Sequence, residues 1–426
     1  MFSGQTFIIS SQGSKGDINP LLGLGKKIGA LGGRVIFLAN SFYENTIRSE
    51  GLEFSSTGSA HNQLEYSRNP DVWRAGSDVA SIEWSLITKE AVKKSFAYVD
   101  KYVNLNSNLP IILGASPIAN GAFWASDVHN LETVQFVFAP HSIYSLIEPP
   151  APMKWSISNW LPKDEAFKLV QSQILAKQAV IKRTQHFKEL NALRQSYGLK
   201  PFDSLGLDTF FSERYKHIAL FPEWYASPAE DWPPQITQTA FPLFDASDVS
   251  GLNEVNNFIK NGDKPIIASF GTGVYQTRSI VREIVEVIKL LGLRLIIVGG
   301  EVPECENHNI LHVPYVDFGS ILGNAKLLIH HGGIGTTAQA MKAGIPQLIR
   351  PANFDQFDNA DIVKSLNLGD FLMSKDFTKD RLAQKVGNLL SSKSVAISNK
   401  RVSQKVLSSN GISEACSLIG GWLGRA

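Results

Sequence analysis

The run LLIHHGGIGTTAQAMKAGIPQLIRPANFDQFDNA, from Leu327 to Ala360, decides how this chain folds. Leu327-Leu328-Ile329 reads as a short buried strand and His330 to Gly335 as a glycine-rich turn. A helix is expected from near Thr336, and beyond Gly344-Ile345-Pro346 comes another strand, Gln347 to Ile349. Strand, turn, helix, strand is the pattern of a crossover helix packed on a parallel sheet. The glycines let the backbone bend tightly and approach a ligand, while the first free amides of the helix point at an anion. Thr336 and Thr337 add hydroxyl donors, and a histidine at the strand's end can donate to a phosphate oxygen. The same residues also suit a plain strand-to-helix turn. The spacing carries neither the lysine of a triphosphate loop nor the opening position of a dinucleotide fingerprint.

The adjacent His330 and His331 raise the question of a metal. Neighbouring side chains in extended backbone point to opposite faces, and no nearby carboxylate or cysteine completes a ligand set. No metal site is therefore expected, and His330 is read as structural. Downstream, Asp355 can accept hydrogen bonds from sugar hydroxyls, and Gln356 can donate and accept. A solvated loop leading into a capped helix explains the same pair.

Outward from this run the alternation repeats. Thr6 to Ser10 is a strand, Gln12 to Asp17 a glycine-containing turn, and a helix starting at Pro20 presents Leu21, Leu22, Leu24, Ile28 and Leu31 before strand Arg34 to Ala39. Further strands are expected at Glu53 to Ser55, Pro110 to Leu113 and Val134 to Ala139. Lys163 to Tyr197 has the pattern of inserted amphipathic helices, and Phe221 to Pro234 is too proline-rich for a regular one. The alternation resumes with strand Pro265 to Phe270, the turn Gly271-Thr272-Gly273, helix Ser279 to Leu291 and strand Leu293 to Val298. This divides the chain into domains of residues 1–240 and 241–426, with the last helical run, Ile412 to Leu423, either covering the second sheet or crossing back to the first.

A length of 426 residues with 43% hydrophobic composition supports two packed cores. The net charge of +2 argues against a strong nucleic-acid binder. Only Cys305 and Cys416 occur, too few for a disulfide framework. The N-terminus lacks the pattern of a secretory signal, and no run approaches the roughly 18 apolar residues of a spanning helix. A cytoplasmic protein is expected, with peripheral contact at the inner membrane face still open.

The run from His330 to Ala360 resembles the donor-binding signature of the family 1 glycosyltransferases, and GSKGDINPLLGLGKKIGALGGRV, Gly13 to Val35, resembles that family's first loop and helix. LFPEWYASPAEDWPPQITQTAFPLFD, Leu220 to Asp245, is similar to the rhamnosyltransferases of rhamnolipid synthesis, with sterol and other lipid glucosyltransferases as near neighbours. The resemblance implies a GT-B architecture, two Rossmann-like domains facing each other across a cleft. It implies an inverting hexosyltransferase that needs no cofactor, takes a UDP- or dTDP-sugar as donor and uses a small-molecule or lipid hydroxyl as acceptor. By matching positions, His331, Gly332, Gly333, Gly335, Thr336 and Thr337 surround the diphosphate, with Gly271 and Thr272 near the β-phosphate. Val313 supports the base through its backbone, and Asp355 and Gln356 hold the sugar. Gln339 stands where many plant relatives carry a ribose-binding glutamate. His331 and Asp17 take catalytic roles, Asp17 as general base, although Asp17 also suits a helix cap. On the acceptor side Gly16 and the rings of Trp73, Trp84, Trp124, Trp155 and Trp160 are expected to line an apolar cleft, or else to lie in the core. A non-catalytic nucleotide-sugar sensor and a sugar-nucleotide epimerase are the other classes compatible with such a chain.

Overall fold

The computed structural model describes residues 1–73, 78–106, 110–143, 145–156, 163–202, 212–244, 251–270, 278–300 and 307–424. Two parallel sheets organise them. The first contains β1 (Thr6–Ser10), β2 (Arg34–Asn40), β3 (Glu53–Gly58), β4 (Ile111–Ala115), β5 (Glu132–Val137), β6 (Lys216–Ala219) and β7 (Ile236–Gln238), in the order β3-β2-β1-β4-β5-β6-β7. The second contains β8 (Ile266–Ser269), β9 (Leu295–Val298), β10 (Ile310–Val313), β11 (Leu327–His330), β12 (Gln347–Ile349) and β13 (Gly369–Phe371), in the order β10-β9-β8-β11-β12-β13. This is the two-domain GT-B arrangement expected from the sequence.

Strands such as TFIIS and LLIH are buried along their whole length because helices cover both faces of each sheet. Alternation still sorts their side chains. Phe7 and Ile9 enter a core shared with the helix Lys15–Ala30, whereas Ile8 enters one shared with the helix Lys89–Leu105. In both sheets the strand order reverses beside the first strand, between β1 and β4 and between β8 and β11. Crevices form at the carboxyl ends of strands at such switch points. Residues 10–12 and 116 lie at one, and Ser269 with the His330–Gly335 turn at the other.

Three features differ from expectation or extend it. The first helix starts at Lys15 rather than Pro20, because Ser14 caps it and the Ser14 amide donates in turn to the Asp17 carboxylate. The strands β6 and β7 flank the proline-rich stretch. The last helix, Gly411–Trp422, crosses back and buries Ala415, Cys416 and Ile419 in the first domain's core. Of the inserted region, the helix Gln185–Ser196 contributes Phe187 and Leu190 to the first domain, while Lys163–Arg183 buries Val170 and Ile174 against Met153 in a small separate cluster. Among the described residues no helix is long and apolar enough to cross a membrane.

Candidate active site

On the second domain the site is built from backbone. His330, fully buried, accepts from the Gly332 N–H at Nδ1 (3.2 Å) and sits 3.0 Å through Nε2 from Gln347 Oε1, so it fastens the turn to β12. Burial, with the neighbouring His331 adding to it, pushes its pKa down to about 3. Gly332 has φ of +96°, and a Cβ there would come within 2.7 Å of Ile349 Cγ2, so only glycine lets the chain pass. The helix Ile334–Ala343 follows at once. Its Ile334 N–H is taken by Asp355 Oδ2 at 3.2 Å, and the Gly335 and Thr336 amides precede its first backbone bond, from Thr337 N–H to Gly333 O. These two amides face outward at the positive end of the helix, a natural anion seat.

His331 stands beside them. Burial lowers its pKa to about 4, partly offset by a hydrogen bond with the Ser269 backbone, and its Nδ1 is buried without a partner among the described residues. A neutral imidazole with one open nitrogen can still hydrogen-bond a phosphate oxygen. Thr336 is partly exposed, but Thr337 is fully buried and donates its hydroxyl to Gly333 O at 3.0 Å. Thr337 therefore spends its hydroxyl on stiffening the turn.

Asp355 caps the next helix, Gln356–Ser365, and accepts from Asn359 Nδ2 at 2.8 Å. Asn359 in turn donates to Gly332 O and accepts from the Tyr225 hydroxyl of the first domain, at 2.8 and 2.7 Å. One asparagine thus fixes the Asp355 carboxylate and the His330–Gly335 turn relative to each other. Gln356 accepts the Ala352 and Asn353 amides at Oε1, which directs its remaining hydrogen-bonding capacity to Nε2. Just before this pair, Phe354 adopts φ of +57° and is 48% exposed, a conformation uncommon for a bulky residue. Gln339 is buried in its helix, and Val313 is buried at the end of β10 with its carbonyl taken by Gly299 N–H. Gly271 and Thr272 lie outside the described residues.

Across the cleft, Asp17 occupies the third position of its helix. Its Oδ2 accepts both the amide (2.7 Å) and the hydroxyl (3.1 Å) of Ser14, while Oδ1 carries no hydrogen bond among the described residues. Gly13, at φ of +111°, leaves the space that this carboxylate fills. Burial pushes the Asp17 pKa up to about 6 against the lowering effect of Ser14, and the charge of Asp355 raises it further. Carboxylates from the two domains therefore share one electrostatic environment. Burial likewise raises Asp355, with the nearby His141 opposing it.

Residues 297–417 match the family described as "Erythromycin biosynthesis protein CIII-like, C-terminal domain". The chain is 23% identical to O-mycaminosyltylonolide 6-deoxyallosyltransferase of Streptomyces fradiae, over 97% of this chain and 96% of that enzyme. It is 24% identical to sterol 3-beta-glucosyltransferase UGT80B1 of Arabidopsis thaliana over 84% of this chain, but spans only 58% of that protein. Among solved structures, spinosyn forosaminyltransferase SpnP superposes with a TM-score of 0.70 at 14% identity, covering 98% of this chain and 99% of its own. The glycosyltransferase VinC in complex with dTDP gives 0.65 at 13%, covering 99% and 100%. The chain is a glycosyltransferase of the GT-B fold.

On the acceptor side of this glycosyltransferase, the structure corrects the tryptophans. Trp124 is fully buried among Tyr197, Phe202 and Arg194. Trp84 is buried in the same core and donates Nε1–H to Glu189 at 3.1 Å. Trp155 reaches the other domain, stacking on Phe371 with centroids 5.1 Å apart and donating to Asp361 at 3.0 Å. Trp84 and Trp124 bury their rings in the core and do not line an acceptor cleft, whereas Trp155, 38% exposed, packs one part of its ring on the second domain. Trp160 lies outside the described residues, as does the side chain of Trp73. Gly16 does lie where the domains meet, on an apolar seam with Pro20, Phe138, Leu220, Ile334 and Gly335.

Glu83 is the group that sequence reasoning missed. It lies at the end of the helix Val79–Glu83, against the wider turn Trp84–Thr88, and carries no hydrogen bond or ion pair among the described residues. Burial, with the charge of Asp17 adding to it, raises its pKa to about 7. Tyr66, raised in the same way, feels both Glu83 and Asp17. Among the described residues no group of three or more His, Cys, Asp or Glu side chains is placed to hold a metal ion.

Proposed function

We propose that this glycosyltransferase moves a hexose from a UDP- or dTDP-sugar to a hydroxyl of a small or lipidic acceptor, with inversion at the anomeric carbon. The observation that carries the reading is that the first turn of the helix Lys15–Ala30 meets the start of the helix Ile334–Ala343, Gly16 and Pro20 lining one seam with Ile334 and Gly335; the charge of Asp355 adds to the raised pKa of Asp17. Asp17 takes the proton of the acceptor hydroxyl as its oxygen attacks the anomeric carbon. The bond from that carbon to the diphosphate oxygen breaks, and the nucleoside diphosphate leaves with the electron pair. A pKa near 6 keeps Asp17 ionised at neutral pH and more basic than an ordinary carboxylate, which suits a general base.

The Gly335 and Thr336 amides, the helix terminus and His331 stabilise the charge growing on the leaving group. Asp355 and Gln356 hold the sugar, Gln339 and Val313 the nucleoside. Both VinC and spinosyn rhamnosyltransferase SpnG were solved with thymidine diphosphate, which supports dTDP ahead of UDP. Peripheral membrane contact belongs to the reading through the helix Lys163–Arg183, which exposes Phe167, Leu175 and Val180 beside basic residues. Mass spectrometry of products from crossed UDP- and dTDP-sugars with polar and lipidic alcohols tests the transfer, and proton coupling at the new anomeric centre tests its course. A product retaining the donor's configuration would sink the single-displacement mechanism. Failure to sediment with anionic vesicles would remove the membrane contact.

A further inference from the structure

A group of buried, unsatisfied polar side chains outside the donor grip lies on elements that pack near the helical run carrying Glu83. Along β1, Phe7 and Ile9 face the helix Lys15–Ala30, and the Ser11 hydroxyl continues that face by donating to Asp17 O at 2.9 Å. Ile8 faces the helix Lys89–Leu105, so period two puts Ser10 and Gln12 on that side, the side of the helical run carrying Glu83. The pairing that maintains this alternation persists past the strand, with Ser11 N–H on Leu38 O and Gln12 N–H 3.4 Å from Ser116 Oγ.

Both polar groups there lack partners. Among the described residues, Gln12, 3% exposed, makes no hydrogen bond through Oε1 or Nε2, and the fully buried Ser10 Oγ makes none either. From another element, Gln63 is 6% exposed with Oε1 unpartnered. It precedes Tyr66 by three residues, hence on the same face of the helix Ala60–Arg68, which packs on the turn after Glu83. Two separate segments, packed against the helical run that carries Glu83, therefore hold donors and acceptors that are unsatisfied among the described residues. Buried polar groups left without partners are destabilising and rare, and the whole set is out of place in a site for an apolar alcohol.

We propose that the part of the acceptor beside Asp17 is a polyhydroxylated ring, a sugar or glycoside, held by Gln12, Gln63 and Glu83. This rests on the reading of Asp17 as the group that receives the acceptor hydroxyl. Each ring hydroxyl donates once and accepts twice, matching an amide with both ends unused, a second amide oxygen and a carboxyl group. An aliphatic alcohol or a sterol ring leaves these groups buried and unpaired, and sites built to hydrogen-bond a substrate reject such analogues strongly.

Saturation-transfer NMR on the full chain tests this with methyl glucoside, galactoside, mannoside and rhamnoside against cyclohexanol, a ring of similar size without the extra hydroxyls. Ring-proton saturation is expected for at least one glycoside, at an apparent affinity at least about tenfold above cyclohexanol. It should be lost in Gln12→Leu and Gln63→Leu but survive in Asp355→Asn. The leucine variants should melt no lower than the parent, since each removes an orphaned amide, whereas an amide with a purely structural role would lower the melting temperature when lost. Cyclohexanol binding as well as every glycoside, or saturation that survives Gln12→Leu, overturns the proposal. So does a signal lost only in Asp355→Asn, because the ring then occupies the donor side. Calorimetry with dTDP and UDP is scored separately: failure of both to bind counts against the transferase reading, whatever the glycosides do.

Discussion

The two sides of the cleft are built by different means. The proposed donor side is one continuous stretch, Leu327 to Gln356, in which backbone amides and internal hydrogen bonds set the geometry, while His331 Nδ1, Gln347 Nε2 and Arg350 Nε are buried without a partner among the described residues. The acceptor side is gathered from residues 10–17, 63–66 and 83, and several of its polar groups have no partner. A seat for a diphosphate can be pre-formed because every nucleotide sugar presents the same anion. The acceptor side carries its cost in the fold, as unpaired amides and a carboxyl with raised pKa, which is the signature of groups kept for a ligand.

The strongest test of this contrast is Asp17→Asn. Turnover should fall by about 10²- to 10⁴-fold with donor affinity nearly intact. The parent's kcat/KM should rise with pH through an ionisation near 6 that the variant lacks. Stability moves the other way. Because the folded pKa of Asp17 lies above the ordinary value of 3.8, the folded state holds its proton more tightly, and stability falls as pH rises from about 4 to about 6. The asparagine, still able to accept from Ser14, should therefore melt no lower than the parent at pH 8. A variant that is inactive because it is unfolded would melt lower, and one that turns over normally would remove Asp17 as the base.

The donor side should break differently. In Gly332→Ala the added methyl meets Ile349 at 2.7 Å on a backbone of φ +96°, a strain of about 1–2 kcal/mol before any clash. Nucleotide affinity and melting temperature should fall together, the affinity by about tenfold or more, because the turn is both scaffold and ligand seat. Calorimetric titration with dTDP and UDP alongside a melting curve checks this. Unchanged affinity would mean that the turn is only a connection between β11 and its helix.

The same contrast governs how much could be read from sequence. The donor strands, the turn and the two-sheet architecture were legible because strand, glycine turn and helix follow one another within about thirty residues, and buried strands announce themselves by apolar runs. The start of the first helix was misplaced because Pro20 is a good first-turn residue, although Ser14 followed three residues later by Asp17 carried a capping-box pattern. Glu83 carries no local signal at all. Its meaning comes from burial and from the charge of Asp17, 66 positions away in sequence, and the partnerless state of Gln12 among the described residues is likewise a property of the folded surroundings. Thr337 and Asn359 show the reverse problem, since both sit in a legible motif but spend their hydrogen bonds inside it.

The smallest expected effect concerns Trp155, which sequence reasoning put on the acceptor side. Its ring stacks on Phe371 at an interplanar angle of 15° and its Nε1–H reaches Asp361, while His141 Nδ1 and the Ala151 amide meet the carboxylate of Asp358 at 3.1 and 2.9 Å. Segment 141–155 of the first domain thus rests on the helix Gln356–Ser365, whose cap is Asp355. Trp155→Leu removes one stack and one hydrogen bond, about 1–2 kcal/mol of docking between domains. The melting temperature should drop by a few degrees, whereas KM for an acceptor found in the product screen should stay within about twofold of the parent. A tenfold rise in that KM without loss of stability would return Trp155 to the acceptor cleft, giving the polar acceptor side an apolar wall.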